Sequence, residues 1–144
     1  HHNLGNIGLA IVHGCGLKEG AVATTIAHDS HNAIVVGTND DDMIKALEAL
    51  QEMQGGLVVV RNGEVMGALN LPIAGLMTNE AAKDVVSQLE KVHEALHEIY
   101  PTLSYHFFLT LSFLSLPVIP ELKVTDTCLF DVVQFKHIET EVRM

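Results

Sequence analysis

The sequence predicts an α+β fold, a largely antiparallel β-sheet with two main helices packed on it. Three observations predict it. Short β-branched runs, punctuated by glycine turns, fill the first quarter of the chain. An Asn62-Gly63 pair stands between two apolar runs. Two longer segments carry apolar residues at helical spacing. Strands that alternate with hairpin signals, with only two long helical patterns among them, give an antiparallel sheet covered by helices.

Residues 7–12 form the first strand candidate. A turn follows at His13-Gly14-Cys15-Gly16, and a second turn signal lies at Lys18-Glu19-Gly20. Residues 21–27 place Val22, Thr24 and Ile26 on one face and small alanines on the other. Residues 33–37 make a short β-branched strand, and all three segments suit neighbouring places in a mostly buried sheet.

From Thr38 the period changes. Thr38 or Asn39 caps a helix whose first turn holds Asp40, Asp41 and Asp42. Negative charge there complements the helix dipole and the free N–H groups. The triple aspartate therefore reads as helix-terminal charge, ahead of a metal site. Met43, Leu47, Leu50 and Met53 mark the apolar face, and Gly55 is the stop.

Residues 57–60 and 64–69 flank Asn62-Gly63. Both turn positions must tolerate positive φ, so this pair predicts a hairpin. Residues 71–77, Leu-Pro-Ile-Ala-Gly-Leu-Met, form a loop returning to the core, with a glycine placed for close approach of the backbone to a neighbour, and are a candidate lining for a domain interface. Thr78 or Asn79 opens the longest helix. Its stripe is Val85, Leu89, Val92, Leu96 and Ile99, and Tyr100-Pro101 ends it.

Residues 107–119 are apolar but broken by Ser112, Ser115 and Pro117, and read as a buried strand or extended core segment. Residues 122–124 and 129–131 read as a last strand pair around Thr125-Asp126.

Length and composition bound the function. The chain has 144 residues, which fits one domain spanning 1–144. It is 48% hydrophobic and 18% charged, with mean hydropathy +0.28, enough for a core. Its net charge is −10 with only 8 Lys and Arg, so nucleic acid is not an expected partner. No apolar run reaches the roughly 20 residues of a membrane span, and no signal peptide is visible. Neither a membrane partner nor a leader is expected. Cys15 and Cys128 are widely separated and read as reduced thiols of a cytoplasmic protein. His1 and His2 carry no chemistry in this reading.

The most concentrated chemistry is Ala27-His28-Asp29-Ser30-His31-Asn32, between two apolar stretches. Polar side chains between strands sit at a sheet end, where a rigid scaffold presents them to a ligand. Asp29 is placed to orient His28 or His31 by a hydrogen bond and so fix a tautomer. The competing reading is a hydrogen-bonded corner tying two strands together. A second motif, His93-Glu94-Ala95-Leu96-His97, matches the HExxH string that aims two imidazoles at one zinc. No third ligand follows it, Lys91 and Glu98 flank it as on a solvated face, and the chain holds nine histidines. It reads as a solvated helix face. Gly14 and Gly16 are turn glycines, without phosphate-loop spacing.

Several blocks, in order, resemble the C-terminal domain of bacterial adenine deaminases: Asn6-Ile7-Gly8-Leu9, Gly14-Cys15-Gly16-Leu17-Lys18-Glu19-Gly20-Ala21, Ala27-His28-Asp29-Ser30-His31-Asn32, Val35-Val36-Gly37-Thr38-Asn39-Asp40, Gly55-Gly56-Leu57-Val58-Val59-Val60, Leu71-Pro72-Ile73-Ala74-Gly75-Leu76-Met77 and Leu111-Ser112-Phe113-Leu114-Ser115-Leu116-Pro117-Val118-Ile119-Pro120-Glu121-Leu122-Lys123. The resemblance runs from about residue 5 to about residue 135; residues 137–144 add nothing to it. It implies a cytoplasmic purine-salvage enzyme of the amidohydrolase superfamily, converting adenine and water to hypoxanthine and ammonia. In that chemistry a metal-bound hydroxide attacks the carbon bearing the amino group, and a carboxylic acid shuttles protons.

The resemblance also implies that the metal, of the manganese, iron or zinc class, sits in an upstream (β/α)8 barrel. That barrel is absent here, and 144 residues cannot hold one. The expectation is therefore a domain that binds no cofactor or metal itself and is inactive alone. It would pack on the barrel mouth and present His28, Asp29, Ser30, His31 and Asn32 near adenine, with no catalytic residue assigned. The alternatives are a non-catalytic binding or oligomerisation module, and an independent metal hydrolase using His28, Asp29 and His31. A domain made to pack on a larger chain leaves an apolar face uncovered, so a homo-oligomer is expected.

Overall fold

The structure is a computed structural model and describes residues 5–138. His1, His2 and residues 139–144 lie outside the described residues. The elements run β1 (Ala21–Thr24), β2 (Ile34–Gly37), α1 (Asp40–Met53), β3 (Gly56–Arg61), β4 (Glu64–Asn70), α2 (Ala82–Ile99), α3 (Phe107–Ser112), β5 (Leu122–Val124), β6 (Leu129–Asp131) and β7 (Lys136–Ile138).

The expected α+β class holds, with the strands divided between two antiparallel sheets. The larger has the order β2-β1-β3-β4, the smaller β5-β6-β7. In the larger, β1 pairs with β2 (Thr24 opposite Ile34) and with β3 (Thr24 opposite Leu57). Alternate side chains divide its two faces. Ala21, Ala23, Val58 and Val60 pack with Ala46, Ala49 and Leu50 of α1. Val22, Leu57, Val59 and Leu69 pack with Val92, Ala95, Leu96 and Ile99 of α2, and with Phe107 and Leu111 of α3. Val22, Val58, Val59 and Val60 are fully buried, each contributing about 1.5–3 kcal/mol.

Local chemistry explains the ends of these elements. Asn39 caps α1, its side chain accepting the Asp42 N–H. Gln54 takes the left-handed position at the C-terminus, just before the expected stop at Gly55. The hairpin turn sits at Asn62 and Gly63, with φ of 53° and 77°, the double positive φ that the pair was expected to supply. The last strand pair also forms as expected, Val124 opposite Leu129.

Four expectations are corrected. Residues 7–12 form no strand, although Ile7, Leu9 and Ile11 alternate. They carry no regular secondary structure, and the three side chains are exposed, because no strand pairs with them. The stretch 107–119 is not a strand: Phe107–Ser112 forms α3, burying Phe107 and Leu111 one helical turn apart. An apolar run of this length does not distinguish strand from helix by pattern. Helix α2 begins at Ala82 without a side-chain cap, rather than at Thr78 or Asn79; the Thr78 hydroxyl instead accepts the Glu80 N–H. On α1 the buried face runs through Ala46 and Ala49, and Leu47 is exposed. The small residues let the helix lie close to the sheet. Strand β7 had no sequence signal.

Candidate functional site

The loop joining β1 to β2, residues 25–33, closes one end of the larger sheet. Thr25 anchors its start. The Thr25 hydroxyl donates to the Gly75 carbonyl at 2.6 Å and accepts the Gly56 N–H at 2.8 Å. Residues 71–77 are therefore tied to the same sheet end. A backbone bridge between Ile73 and Met77 closes that second loop. Gly75 is at φ 72°, and a Cβ there would lie 3.0 Å from the Thr25 hydroxyl, so a side chain at this position would be strained in conformation and crowded against Thr25.

Past Thr25 the chain turns sharply. Ala27 is buried, and its carbonyl accepts the His31 N–H at 3.2 Å. The Ser30 N–H donates to the His28 carbonyl at 2.9 Å, and the His28 N–H to the Ser112 carbonyl at 3.3 Å. Asp29 and His31 both have positive φ, 62° and 51°. Non-glycine residues held there cost on the order of 1 kcal/mol each, and such strain concentrates at functional sites. The His28 ring stacks on Phe113, with centroids 4.6 Å apart and planes inclined by 18°.

The five expected site residues are thus brought together on one loop. His28, Asp29 and His31 are exposed, while Ser30 and Asn32 are half-buried. The expected bond from Asp29 to His28 or His31 is not among the side-chain hydrogen bonds of the described residues, and the positive φ at both Asp29 and His31 turns the chain between them. His28 is oriented by Phe113 instead. The Ser30 hydroxyl is buried without a hydrogen-bond partner. The exposed His28, Asp29 and His31 side chains make no hydrogen bond among the described residues, and His and Asp offer both donors and acceptors. Sequence reasoning missed Thr25, Ser112 and Phe113. Thr25 adjoins the cluster and could have been included; nothing local marks Phe113.

The remaining motifs are elsewhere. His93, Glu94 and His97 lie exposed on α2, whose opposite face buries Val92, Ala95 and Leu96. No group of three or more His, Cys, Asp or Glu side chains converges on a metal position among the described residues. The independent metal hydrolase on His28, Asp29 and His31 therefore lacks its ligand set. Of the three aspartates, Asp42 is buried. Its carboxyl is held below the usual carboxylate range, first by the Asn39 side chain and then by the Gly63 N–H. Cys15 and Cys128 are free thiols, and burial pushes the Cys15 thiol up. No helix among the described residues is long and apolar enough to cross a membrane.

Residues 1–136 match the family described as the adenine deaminase C-terminal domain. The chain belongs to that family. It is 59% identical to an adenine deaminase of Lysinibacillus sphaericus over 98% of this chain. It is 54% identical to one of Bacillus pumilus over 96% of it, and 50% identical to one of Bacillus subtilis over 98% of it. The chain spans 24% of the length of each of these relatives. This member of the family has a four-stranded sheet with helices on both faces, a smaller three-stranded sheet and a polar loop at one end of the larger.

Proposed function

We propose that this chain is the C-terminal domain of an adenine deaminase, a cytoplasmic amidohydrolase of purine salvage that converts adenine and water to hypoxanthine and ammonia. In this reading the 25–33 loop meets the substrate region of an upstream catalytic barrel. The observation that carries it is the loop itself: His28, Asp29 and His31 are exposed, Asp29 and His31 on left-handed backbone, beside a buried Ser30 hydroxyl without a partner among the described residues. Adenine presents ring nitrogens that accept and an exocyclic amine that donates, and this set of side chains answers both. The described residues do not supply the three-ligand set of a catalytic metal. The metal chemistry belongs to the barrel, and the domain alone is inactive. The loop 71–77, with Ile73 and Met77 exposed at the same sheet end, lines the contact with the barrel.

The test uses the full-length enzyme. His28→Ala and His31→Ala are expected to lower kcat/KM for adenine by at least about tenfold, on the order of one lost charged or polar contact, with the thermal midpoint unchanged. Unchanged turnover in both variants overturns the reading. A second reading, an association module, is favoured by the exposed Ile7, Leu9 and Ile11. Sedimentation of this chain distinguishes it, a concentration-dependent oligomer supporting assembly and a monomer opposing it.

A further inference from the structure

The geometry points to a second site, on α2 and away from the 25–33 loop: we propose that His93 and His97 chelate a borderline divalent transition-metal ion of the zinc class. The two residues are one helical turn apart, so their imidazoles rise from the same face. Both are exposed, and neither ring appears in any hydrogen bond or ion pair of the described residues. Neutral imidazole is a common ligand for zinc, copper and nickel.

Three features prepare this face. First, the helix backbone is fixed, because Val92, Ala95 and Leu96 on its other side are 0%, 3% and 2% exposed in the core. Two side chains on a rigid helix lose less freedom on binding than two on a loop. Second, His93 and His97 line a shallow open groove with Glu90, Glu94 and Glu98. Glu98 is engaged by Arg61 at 3.1 Å. Glu90 and Glu94 have no ion pair among the described residues, and they leave the groove negative despite the neighbouring Lys91. Third, the whole chain carries a net charge of −10, which favours a cation electrostatically.

The site is a two-histidine chelate with water completing the coordination, since no third protein ligand converges. It binds the ion without the closed ligand set of a structural zinc or the three protein ligands of a hydrolytic one. Metal bound to the native helix and not to the unfolded chain stabilises the fold by mass action.

Calorimetric titration of the 144-residue chain with zinc tests this. The expected result is one saturable site, with affinity reduced at least tenfold in His93→Ala and in His97→Ala. Both positions are exposed, so melting curves without metal should match the parent chain. In the double variant His93→Ala, Glu94→His the imidazoles stand three residues apart, still on one face, and zinc binding is expected to return. His28→Ala, His31→Ala and His137→Ala should leave the affinity unchanged. Zinc binding that survives both single variants, or no binding at millimolar zinc, overturns the proposal. So does failure of the double variant to recover affinity.

Discussion

The Asp42 carboxylate accepts the Gly63 N–H at 2.7 Å, joining the first turn of α1 to the β3–β4 hairpin. It also accepts the Asn62 N–H at 3.3 Å and the Asn39 side-chain amide at 2.9 Å. One buried carboxylate therefore serves the helix cap and the hairpin turn together. Asp42→Ala leaves those N–H groups without their acceptor and is expected to cost about 2 kcal/mol of folding free energy. Asp40→Ala and Asp41→Ala remove exposed charge and are expected to cost less than about 1 kcal/mol. Denaturant unfolding of the three variants measures the contrast.

The same carboxylate has a pH signature. Asn39 first, then Gly63 and Asn62, hold its folded pKa below the usual value, against burial. Its unfolded value is about 3.9. A depressed folded pKa means that its contribution is present above the unfolded pKa and lost as pH falls through the folded one. The stability gap between the parent chain and Asp42→Asn is thus full near neutrality and shrinks below about pH 4. Thermal melts across that range test it; a gap independent of pH would falsify the assignment.

Thr25 carries the other end of the sheet. Thr25→Val keeps the shape but removes the partner of both the Gly75 carbonyl and the Gly56 N–H. An expected cost of about 2 kcal/mol follows from two buried backbone groups losing a bond. Thr25→Ser retains the hydroxyl and should recover most of it. Hydrogen exchange at Gly56, faster in Thr25→Val than in Thr25→Ser, would locate the effect.

The sequence made the local chemistry legible and the long-range partners obscure. Asn62-Gly63 needs only its own backbone to specify a turn, and Asn39 needs only the next helical turn to act as a cap, so both were readable. Ile7, Leu9 and Ile11 look like a strand because alternation is local, but a strand exists only where another pairs with it. Residues 107–119 carried apolar content without a decisive period, and the helix Phe107–Ser112 was settled by what Phe107 and Leu111 pack against. The 25–33 cluster was readable as a polar corner. Its internal arrangement was not, since the ring that orients His28 is Phe113, on a distant segment.

That stack gives a prediction about positioning. Phe113→Ala removes the surface against which His28 lies. In the full-length enzyme, Phe113→Ala and His28→Ala are expected to lower kcat/KM for adenine by similar factors, and the double variant to lose little more than either. Contacting residues that act as one unit give such non-additive losses. Phe113→Tyr keeps the aromatic face and should restore turnover. Fully additive losses would mean that Phe113 acts on stability alone, and the thermal midpoints of the same variants separate the two cases.

Cys15 supplies a chemical test of the packing around α2. Its thiol is half-buried and its pKa is raised by loss of solvent. The Tyr105 hydroxyl reaches the Cys15 carbonyl at 3.5 Å, and Tyr105 in turn stands edge-on to Tyr100 at the end of α2. Only the thiolate attacks an alkylating agent, so a raised pKa lowers the reactive fraction at neutral pH. Cys15 is therefore expected to react with iodoacetamide more slowly than a cysteine in an unstructured peptide, and to accelerate as pH rises beyond the ordinary thiol range. Unfolding the chain should abolish the difference, because desolvation is its cause. Peptide mapping of the alkylated protein reads Cys15 and Cys128 separately. Fast labelling of Cys15 in the native chain would show that the segment holding it is open to solvent on the timescale of the reaction.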